Sequence, residues 1–253
     1  MKNLIYKEDK DKIGVLTINS GSGNPLTPDL LKELDVITEE LEKKPPKALI
    51  IHGGEGKIFS GGFSLPHIFD WKRNQLVDFF GTFTRALTRI ISLKCPTICA
   101  INGHAVAAGI ILSLGTDLRV VKQGKIMLGF PEVDIGVGVP YQTQLLFAYR
   151  SNYQAALRYT MTGELFNPDQ ALSINYADYL AENEKVKAME VAQFLLSKPG
   201  TGPSVTKEYF SKKIAREFEE AGKESGEIFL DSWFTPEAQK AIKTQAENLS
   251  KKP

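Results

Sequence analysis

The sequence has few cysteines, almost no net charge and no long apolar run, and each shortage excludes a class of protein. Its two cysteines, Cys95 and Cys99, lie in one predicted buried strand region, and two are too few for a disulfide framework or a metal site. A net charge of +1 gives no general attraction to nucleic acid or to an anionic membrane. The longest apolar stretch, around residues 106–114, is far shorter than the roughly 20 residues of a membrane-spanning helix. We therefore expect a globular protein without a metal, nucleic-acid or membrane partner.

The first residues and the cysteines bear on the location that we expect. The first 14 residues contain no apolar h-region, so we expect no secretory signal. Two unpaired core cysteines fit a reducing cytoplasm, which is the location that we expect. Lysines and arginines between residues 207 and 216 form a local basic cluster, for which the solvated face of an amphipathic helix is the simpler interpretation.

The first two-thirds of the chain alternates between strand and helix patterns, which indicates layered α/β packing. A helix is predicted to begin at residues 27–29, because Thr27 is a good N-cap and Pro28 suits the first helical position. Its apolar spacing predicts a buried stripe made of Leu30, Leu34, Ile37 and Leu41. The same reasoning predicts strands over 13–19 and 47–54, a helix over 74–93, a strand ending at Gly103, a short helix from about Ala108, and strands over 117–121 and 125–130.

After about residue 141 the pattern changes to helices alone. Residues 167–172 start with an asparagine cap and a proline, as helices often do. The segment PGTG at residues 199–202 is a clear break. We therefore divide the chain into a core, residues 1–198, and a C-terminal helical region, residues 199–253.

Three stretches carry residues suited to chemistry, and the first is GKIFSGGFSL at residues 56–65. Its three glycines permit a close backbone approach or a positive φ. The stretch has neither the Gly-Lys-Ser/Thr of a phosphate-binding loop nor a GxGxxG dinucleotide fingerprint. A tight turn is the alternative interpretation.

The second stretch, AINGHAVAAGIILSLG from residue 100, predicts a strand, a loop of small residues and an apolar helix. The start of a helix offers free N–H groups and the positive end of the helix dipole, which suit a developing negative charge. Two such donors at one point form an oxyanion hole, in which each is worth roughly 3–4 kcal/mol. A packing joint between strand and helix is the alternative.

The third stretch, GFPEVDIGVG at residues 129–138, carries Glu132 among apolar residues. Desolvation there raises the pKa of a carboxyl group towards the range that a general base needs. A lone glutamate is more often a capped or paired surface acid. The three stretches together, in this order and spacing, indicate an oxyanion hole with one base.

These stretches resemble the motifs of the crotonase superfamily, which is the enoyl-CoA hydratase/isomerase family. Family members carry F-x-x-G-x-x-L, then P-x-x-A-x-x-G-x-A-x-x-G-G, then P-E-x-x-x-G-x-x-P. The matching segments here are KIFSGGFSL, CPTICAINGHAVAAG and FPEVDIGVGVP, and FTPEAQKAIK resembles the last helix of the family. The likeness runs over most of the chain and is strongest from Lys47 to Pro140.

The resemblance implies an α/β fold built as a spiral of ββα turns, with a C-terminal helical region that mediates trimers, commonly paired into hexamers. It implies an acyl thioester of coenzyme A as the ligand, with no separate cofactor. The two amides of the oxyanion hole carry over to Phe63 and Ala108. The coenzyme A contacts carry over to Leu26, Lys57, Ser60, Gly61 and Leu65.

One departure from the family pattern points to the reaction. Hydratases of the family carry two glutamates, whereas the first of these positions is Ile111 here and the second is Glu132. Hydration needs a water held between two carboxylates, whereas a single base can move a proton from the α-carbon of a 3-enoyl-CoA to its γ-carbon. The segment PYQTQLL resembles 3,2-enoyl-CoA isomerases and implies that Tyr141 lines the acyl pocket. We expect Ile111 and Gly136 to contact the substrate as well.

Two other functions stay open. One is enoyl-CoA hydration or another crotonase reaction, such as thioester hydrolysis or decarboxylation, with an unrecognised second group. The other is a non-catalytic acyl-CoA-binding homologue, against which a desolvated Glu132 argues, because a scaffold has no need to bury an acid.

Several side chains near the motifs have simpler interpretations than catalysis. His67 and Trp71 are predicted to wall the substrate channel, with His67 the best candidate for an auxiliary proton carrier. His104 is expected to pack or to make a backbone hydrogen bond. The phenylalanines at helical spacing are predicted to belong to the core or to line an acyl tunnel; they are Phe79, Phe80 and Phe83.

Overall fold

The computed structural model of the chain describes residues 1–251 and contains two β-sheets wrapped by helices. The strands of the larger sheet are β1 (Leu4–Glu8), β2 (Ile13–Ile18), β3 (Ala48–His52), β5 (Thr97–Ile101), β7 (Leu118–Lys122) and β10 (Tyr179–Ala181). They lie in the order β1-β2-β3-β5-β7-β10, and every neighbouring pair is parallel except β1 and β2.

The smaller sheet contains the other four strands. These are β4 (Ile58–Ser60), β6 (His104–Val106), β8 (Leu128–Gly129) and β9 (Leu165–Phe166). They lie in the order β4-β6-β8-β9, with β4, β6 and β8 parallel and β9 antiparallel to β8.

The helices complete a repeating ββα path. They are α1 (Pro28–Lys43), α2 (Leu65–Ile68), α3 (Arg73–Ser92), α4 (Ala108–Leu114), α5 (Tyr141–Arg150), α6 (Tyr153–Thr162), α7 (Pro168–Ser173), α8 (Glu184–Leu196), α9 (Gly202–Trp233) and α10 (Pro236–Ser250), with a 3₁₀ helix at Pro131–Ile135. The pairs β3–β4, β5–β6 and β7–β8 each give one strand to each sheet, and each pair leads to a helix. This path is the predicted spiral of ββα turns.

Both faces of the larger sheet are covered. Leu49 and Ile51 of β3 belong to the main core, whereas Ile50 points the other way into a second cluster with Val191 of α8. A strand buried on both faces has no polar side, which explains why β3 has a continuous apolar sequence instead of an alternating one.

The first helix forms as predicted. The Thr27 hydroxyl oxygen accepts a hydrogen bond from the Leu30 N–H at 3.2 Å, and Pro28 lies in the first turn. The predicted apolar stripe is buried and faces α3. Both cysteines are buried and free, as expected of core residues.

Two sequence-based boundaries are wrong. The strand predicted to end at Gly103 ends at Ile101, and a separate strand starts at His104 in the other sheet. The region after residue 141 is not all helical, because β9 and β10 lie within it. β10 pairs with β7. The residue before β10, Asp178, forms a 3.0 Å ion pair with Arg119 of β7. Strands of two or three residues are too short to show a period, so pairing alone defines them.

The C-terminal helices pack onto the core. α9 begins at Gly202, directly after the predicted break, and packs against α3 and α5. The Lys207 ammonium lies 2.8 Å from the Asp117 carboxylate and donates to the Cys95 carbonyl. The division at residue 199 and the trimer stay predictions, and the last two residues of that region, Lys252 and Pro253, lie outside the described residues.

Within residues 1–251, no helix combines the length and hydropathy needed to cross a membrane. The same residues contain no group of three or more His, Cys, Asp or Glu side chains placed to hold a metal ion.

Replacing Gly109 of α4 with alanine is expected to destabilise the fold by about 1–3 kcal/mol, because overpacking forces a backbone shift. A Cβ atom there would lie 2.3 Å from the Ser60 carbonyl oxygen of β4. Gly226→Ala in α9 is the matched control, since a Cβ there meets nothing within 4 Å. Alanine favours a helix over glycine by up to about 1 kcal/mol, so this control should be neutral or stabilising. Thermal unfolding of both variants checks the prediction. It is wrong if Gly109→Ala unfolds at the same temperature as Gly226→Ala.

Candidate active site

Three parallel strands of the smaller sheet end side by side and bring the candidate residues together. Ser60 pairs with Ala105, Ala105 with Leu128, and Val106 with Gly129. Phe63, Ala108 and Glu132 each follow one of these strands within three residues. The carboxyl edge of a parallel sheet is the usual place for a ligand in α/β proteins.

The backbone amides of Phe63 and Ala108 are neighbouring free donors. Each follows a residue with positive φ, Gly62 at 86° and Ala107 at 51°. A Cβ atom on Gly62 would lie 3.1 Å from the Ala108 nitrogen, so the two loops are in contact. Within residues 1–251, neither amide donates a hydrogen bond to the protein. Two free backbone donors on adjoining loops are the kind of group from which an oxyanion hole is built.

The backbone of Leu26 holds the Phe63 segment from one side. Its N–H donates to the Gly62 carbonyl at 2.8 Å, and its carbonyl accepts from the Ser64 N–H at 3.2 Å. Leu26 and Phe63 thus form an isolated parallel bridge. The side chain of Leu26 is fully buried in the core, so any ligand contact there comes from the backbone of the region.

Aromatic rings form an apolar wall beside the first amide. The Phe63 ring packs against the rings of Phe79, Phe80 and Phe83 at centroid distances of 5.0, 5.3 and 5.1 Å. Phe80 continues the wall to two residues near the end of α9, Phe229 at 5.1 Å and Trp233 at 5.8 Å. Phe229 and Trp233 were not predicted from the sequence, because the pattern of a helix does not tell which distant helix it will contact.

The carboxylate of Glu132 is held in an apolar setting on the 3₁₀ helix. The residue is partly exposed as a whole, but its Oε2 atom is buried and has no hydrogen-bond partner within residues 1–251. Burial raises the pKa of Glu132 to about 7, opposed by a hydrogen bond from its own backbone N–H. Among the described residues, no neighbouring charge contributes to this pKa. The carboxyl group therefore titrates near neutrality, as a general base does.

The C-terminal helices support the segment that carries Glu132. The 3₁₀ helix ends at Gly136, which has a φ of 75°, and a Cβ there would lie 3.3 Å from Ala238 of α10. Two residues further, the Gly138 N–H donates to the Ser232 hydroxyl of α9 at 3.0 Å. The position of the candidate base thus depends on residues about a hundred positions further along the chain.

The remaining predicted contacts surround this centre at different depths. Ile111 is 6% exposed in α4, one turn after Ala108. Leu65 is half-buried at the start of α2. The exposed residues of this group are Lys57, Gly61, Gly136 and Tyr141.

The coenzyme A contact of Ser60 stays a prediction, and its side chain is used within the fold. Its side chain is fully buried, and its hydroxyl donates to the Asn24 carbonyl at 2.8 Å. The same oxygen accepts from the Gly62 N–H at 3.2 Å. The hydroxyl is therefore used within the fold. The sequence analysis also missed Asn24, although the Asn-Pro pair after two glycines is a turn signal.

The two histidines near the motifs have local hydrogen-bond partners. His104 Nδ1 accepts from the Met127 N–H at 3.1 Å, which agrees with the expected backbone hydrogen bond. His67 is exposed on α2, and its Nδ1 lies 2.7 Å from the Ser64 hydroxyl. An auxiliary role for His67 stays a prediction.

The chain is similar in sequence and in structure to members of one protein family. A family model described as Enoyl-CoA hydratase/isomerase matches residues 8–252. Enoyl-CoA delta isomerase 2, peroxisomal, of Arabidopsis thaliana is 26% identical over 210 residues, or 77% of this chain and 86% of that protein. The short-chain-enoyl-CoA hydratase of Clostridium acetobutylicum is 23% identical over 244 residues, or 95% and 93%. The crystal structure of human mitochondrial delta3-delta2-enoyl-CoA isomerase has a TM-score of 0.89 at 21% identity, covering 98% of both chains. This likeness confirms the predicted fold.

The pKa of Glu132 makes stability depend on pH. Because this pKa of about 7 is above the ordinary value of 4.5, the folded state binds more protons than the unfolded state between those values. Stability is therefore lost as the pH rises through that window. Glu132→Gln cannot ionise, so its stability relative to wild type should increase from pH 5 to pH 8. Denaturant unfolding at both values checks this, with Asp134→Asn at the exposed neighbour as control. A difference that does not change with pH would contradict the burial of the charge.

Proposed function

The chain belongs to the enoyl-CoA hydratase/isomerase family, and we propose that it shifts the double bond of a 3-enoyl-CoA to give a 2-enoyl-CoA. The observation that carries this proposal is Glu132, whose Oε2 atom is buried and whose pKa is affected by no second acid within residues 1–251. The position on α4 at which hydratases of the family carry another glutamate is the buried Ile111.

The proposed reaction moves one proton within the substrate. The Glu132 carboxylate removes a proton from the α-carbon, and the electron pair of that C–H bond delocalises through the thioester carbonyl and the adjacent double bond. The Phe63 and Ala108 amides donate to the oxygen of the resulting dienolate, where negative charge develops. Glu132 then returns the proton to the γ-carbon, which leaves the double bond between the α- and β-carbons. The base ends in its starting state, and no water is consumed.

The environment of Glu132 suits this cycle. A carboxyl group with a pKa of about 7 is partly ionised at neutral pH and strong enough as an acid to give the proton back. The aromatic wall around Phe63 helps to exclude water, which would otherwise form hydrogen bonds to the dienolate and to the carboxylate.

Hydration is the second candidate, because similar proteins include both enoyl-CoA isomerases and an enoyl-CoA hydratase. It needs a second group to hold and activate water, and the apolar Ile111 supplies none. A non-catalytic acyl-CoA-binding role is less well supported. Burying a carboxyl group without a partner costs stability, and a scaffold gains nothing from that cost.

The same proposal covers the surroundings of the reaction. Coenzyme A is part of the substrate, and no separate cofactor is needed for the proton transfer. We propose a homo-oligomer, a trimer or a dimer of trimers, which fits the large apolar side chains that α6 exposes at Tyr153, Leu157 and Met161. A cytoplasmic location stays part of the proposal.

Two substrates separate isomerisation from hydration. With a 3-enoyl-CoA, we expect the absorbance of the conjugated 2-enoyl thioester to rise. With a 2-enoyl-CoA in water, we expect almost no 3-hydroxyacyl-CoA by chromatography. Rapid formation of the hydroxyacyl product would refute the one-base mechanism.

Glu132→Gln tests the base itself. We expect turnover to fall by roughly 10²- to 10⁴-fold, the range typical of general acid–base groups, because the amide cannot accept the proton. Binding of the substrate should change little, since the two side chains have nearly the same shape. Asp134→Asn is the matched control and should keep wild-type turnover, because Asp134 is exposed on the same 3₁₀ helix. Wild-type turnover in Glu132→Gln would remove Glu132 from the mechanism.

A further inference from the structure

Ser60 lies between the two loops that carry the amides of the candidate oxyanion hole. Its hydroxyl oxygen accepts a hydrogen bond from the N–H of Gly62, the residue before Phe63. Its carbonyl oxygen lies against Gly109, the residue after Ala108, so closely that a Cβ there would come within 2.3 Å. One buried residue therefore contacts the backbone next to both amides.

Asn24 determines the orientation of the Ser60 hydroxyl. A hydroxyl has one proton to donate, and Ser60 donates it to the Asn24 carbonyl at 2.8 Å. With its proton engaged there, the oxygen presents a lone pair to the Gly62 N–H. Without this pair of hydrogen bonds, the turn at residues 61–63 would be held only by its backbone bonds to Gly23 and Leu26.

The side chain of Asn24 anchors this carbonyl. Its Nδ2 donates to the carbonyls of Gly53 and Phe59, and its Oδ1 accepts from the Ser20 N–H at 3.2 Å. The residue is 7% exposed and has a φ of 43°. Asparagine tolerates this left-handed conformation better than most residues other than glycine. These bonds join the loop of Asn24 to the end of β3 and to β4.

We propose that Asn24 and Ser60 are positioning residues that set the distance and direction of the Phe63 and Ala108 amides. The proposal rests on the proposed function, in which those amides bind the thioester oxygen. Neither side chain reaches the reacting atoms, since both are buried and bonded to backbone groups. They act through geometry, and a displacement of about 1 Å in such a site can lower the rate roughly 10²-fold.

Three variants test the proposal. Ser60→Ala removes the hydroxyl, and Ser60→Cys keeps its shape with weaker hydrogen bonds. Asn24→Gly removes the anchoring amide but keeps the positive φ, which glycine adopts freely. We expect kcat for the 3-enoyl-CoA to fall roughly 10- to 100-fold in Ser60→Ala and Asn24→Gly, and less in Ser60→Cys, with KM changing less than about threefold.

The infrared carbonyl stretch of bound butanoyl-CoA, labelled with carbon-13 at the thioester carbon, gives a readout that stability alone does not move. Wild type should shift the band to lower frequency than in water, because two amides polarise the carbonyl. The variants should bind the thioester with a smaller shift of the carbonyl band. We expect Ser60→Cys to keep more of the wild-type shift than Ser60→Ala. Ser225→Ala is the matched control, because Ser225 is a buried serine that donates to the Ala221 carbonyl within α9.

The outcomes separate this proposal from the proposed function. No band shift in wild type would refute the oxyanion hole itself. A wild-type shift that persists in Ser60→Ala and Asn24→Gly, with kcat no lower than in Ser225→Ala, would show a purely structural role and overturn the positioning proposal. If Ser60→Ala does not fold, the comparison of Asn24→Gly and Ser60→Cys with wild type decides in the same way.

Discussion

The close packing of Gly62 against the start of α4 is the contact on which the candidate site depends. Gly62 lies so near Ala107 and Ala108 that a side chain at this position would push the two loops apart. One turn of α4 meets β4 in the same way, at Gly109 and Ser60. These contacts bring together the two loops that carry the Phe63 and Ala108 N–H groups. Hydrogen-bond donors that are already oriented need no rearrangement when charge develops, which makes them effective in catalysis.

The larger sheet supplies the rigidity that this contact requires. Its central strands are buried on both faces, so they cannot shift without exposing apolar surface. The smaller sheet has strands of only two or three residues, which have little stability of their own. It is held because each of β4, β6 and β8 directly follows a strand of the larger sheet. The candidate site is therefore made of short, strained segments on a rigid support, and the positive φ of Ala107 is one sign of this strain.

Much of this arrangement was predictable from the sequence, for identifiable reasons. Glycines, prolines and small residues delimit the three chemical stretches, and the apolar setting of Glu132 is visible in the third. Phe63 and Ala108 are singled out within the other two only by the resemblance to the family. The burial of Leu30, Leu34, Ile37 and Leu41 followed from helical spacing. The pairing of β9 and β10 was not predictable, because such short strands carry no period. Phe229 and Trp233 could not be assigned to the site either, since their contact with Phe80 spans about 150 residues of sequence.

Ser60 shows that a match to a family motif does not give the direction of a side chain, because its hydroxyl is bonded within the fold.

The contacts of Gly136 with Ala238 and of Gly138 with Ser232 have a consequence for the order in which the site forms. The segment that carries Glu132 contacts helices that follow it by about a hundred residues, so a nascent chain has the loops of Phe63 and Ala108 before it has a supported candidate base. A chain that stops before α9 lacks Ser232 and Ala238, which contact this segment. Support of the candidate base is thereby tied to synthesis of α9 and α10, and a nascent chain that lacks them leaves this segment without its contacts.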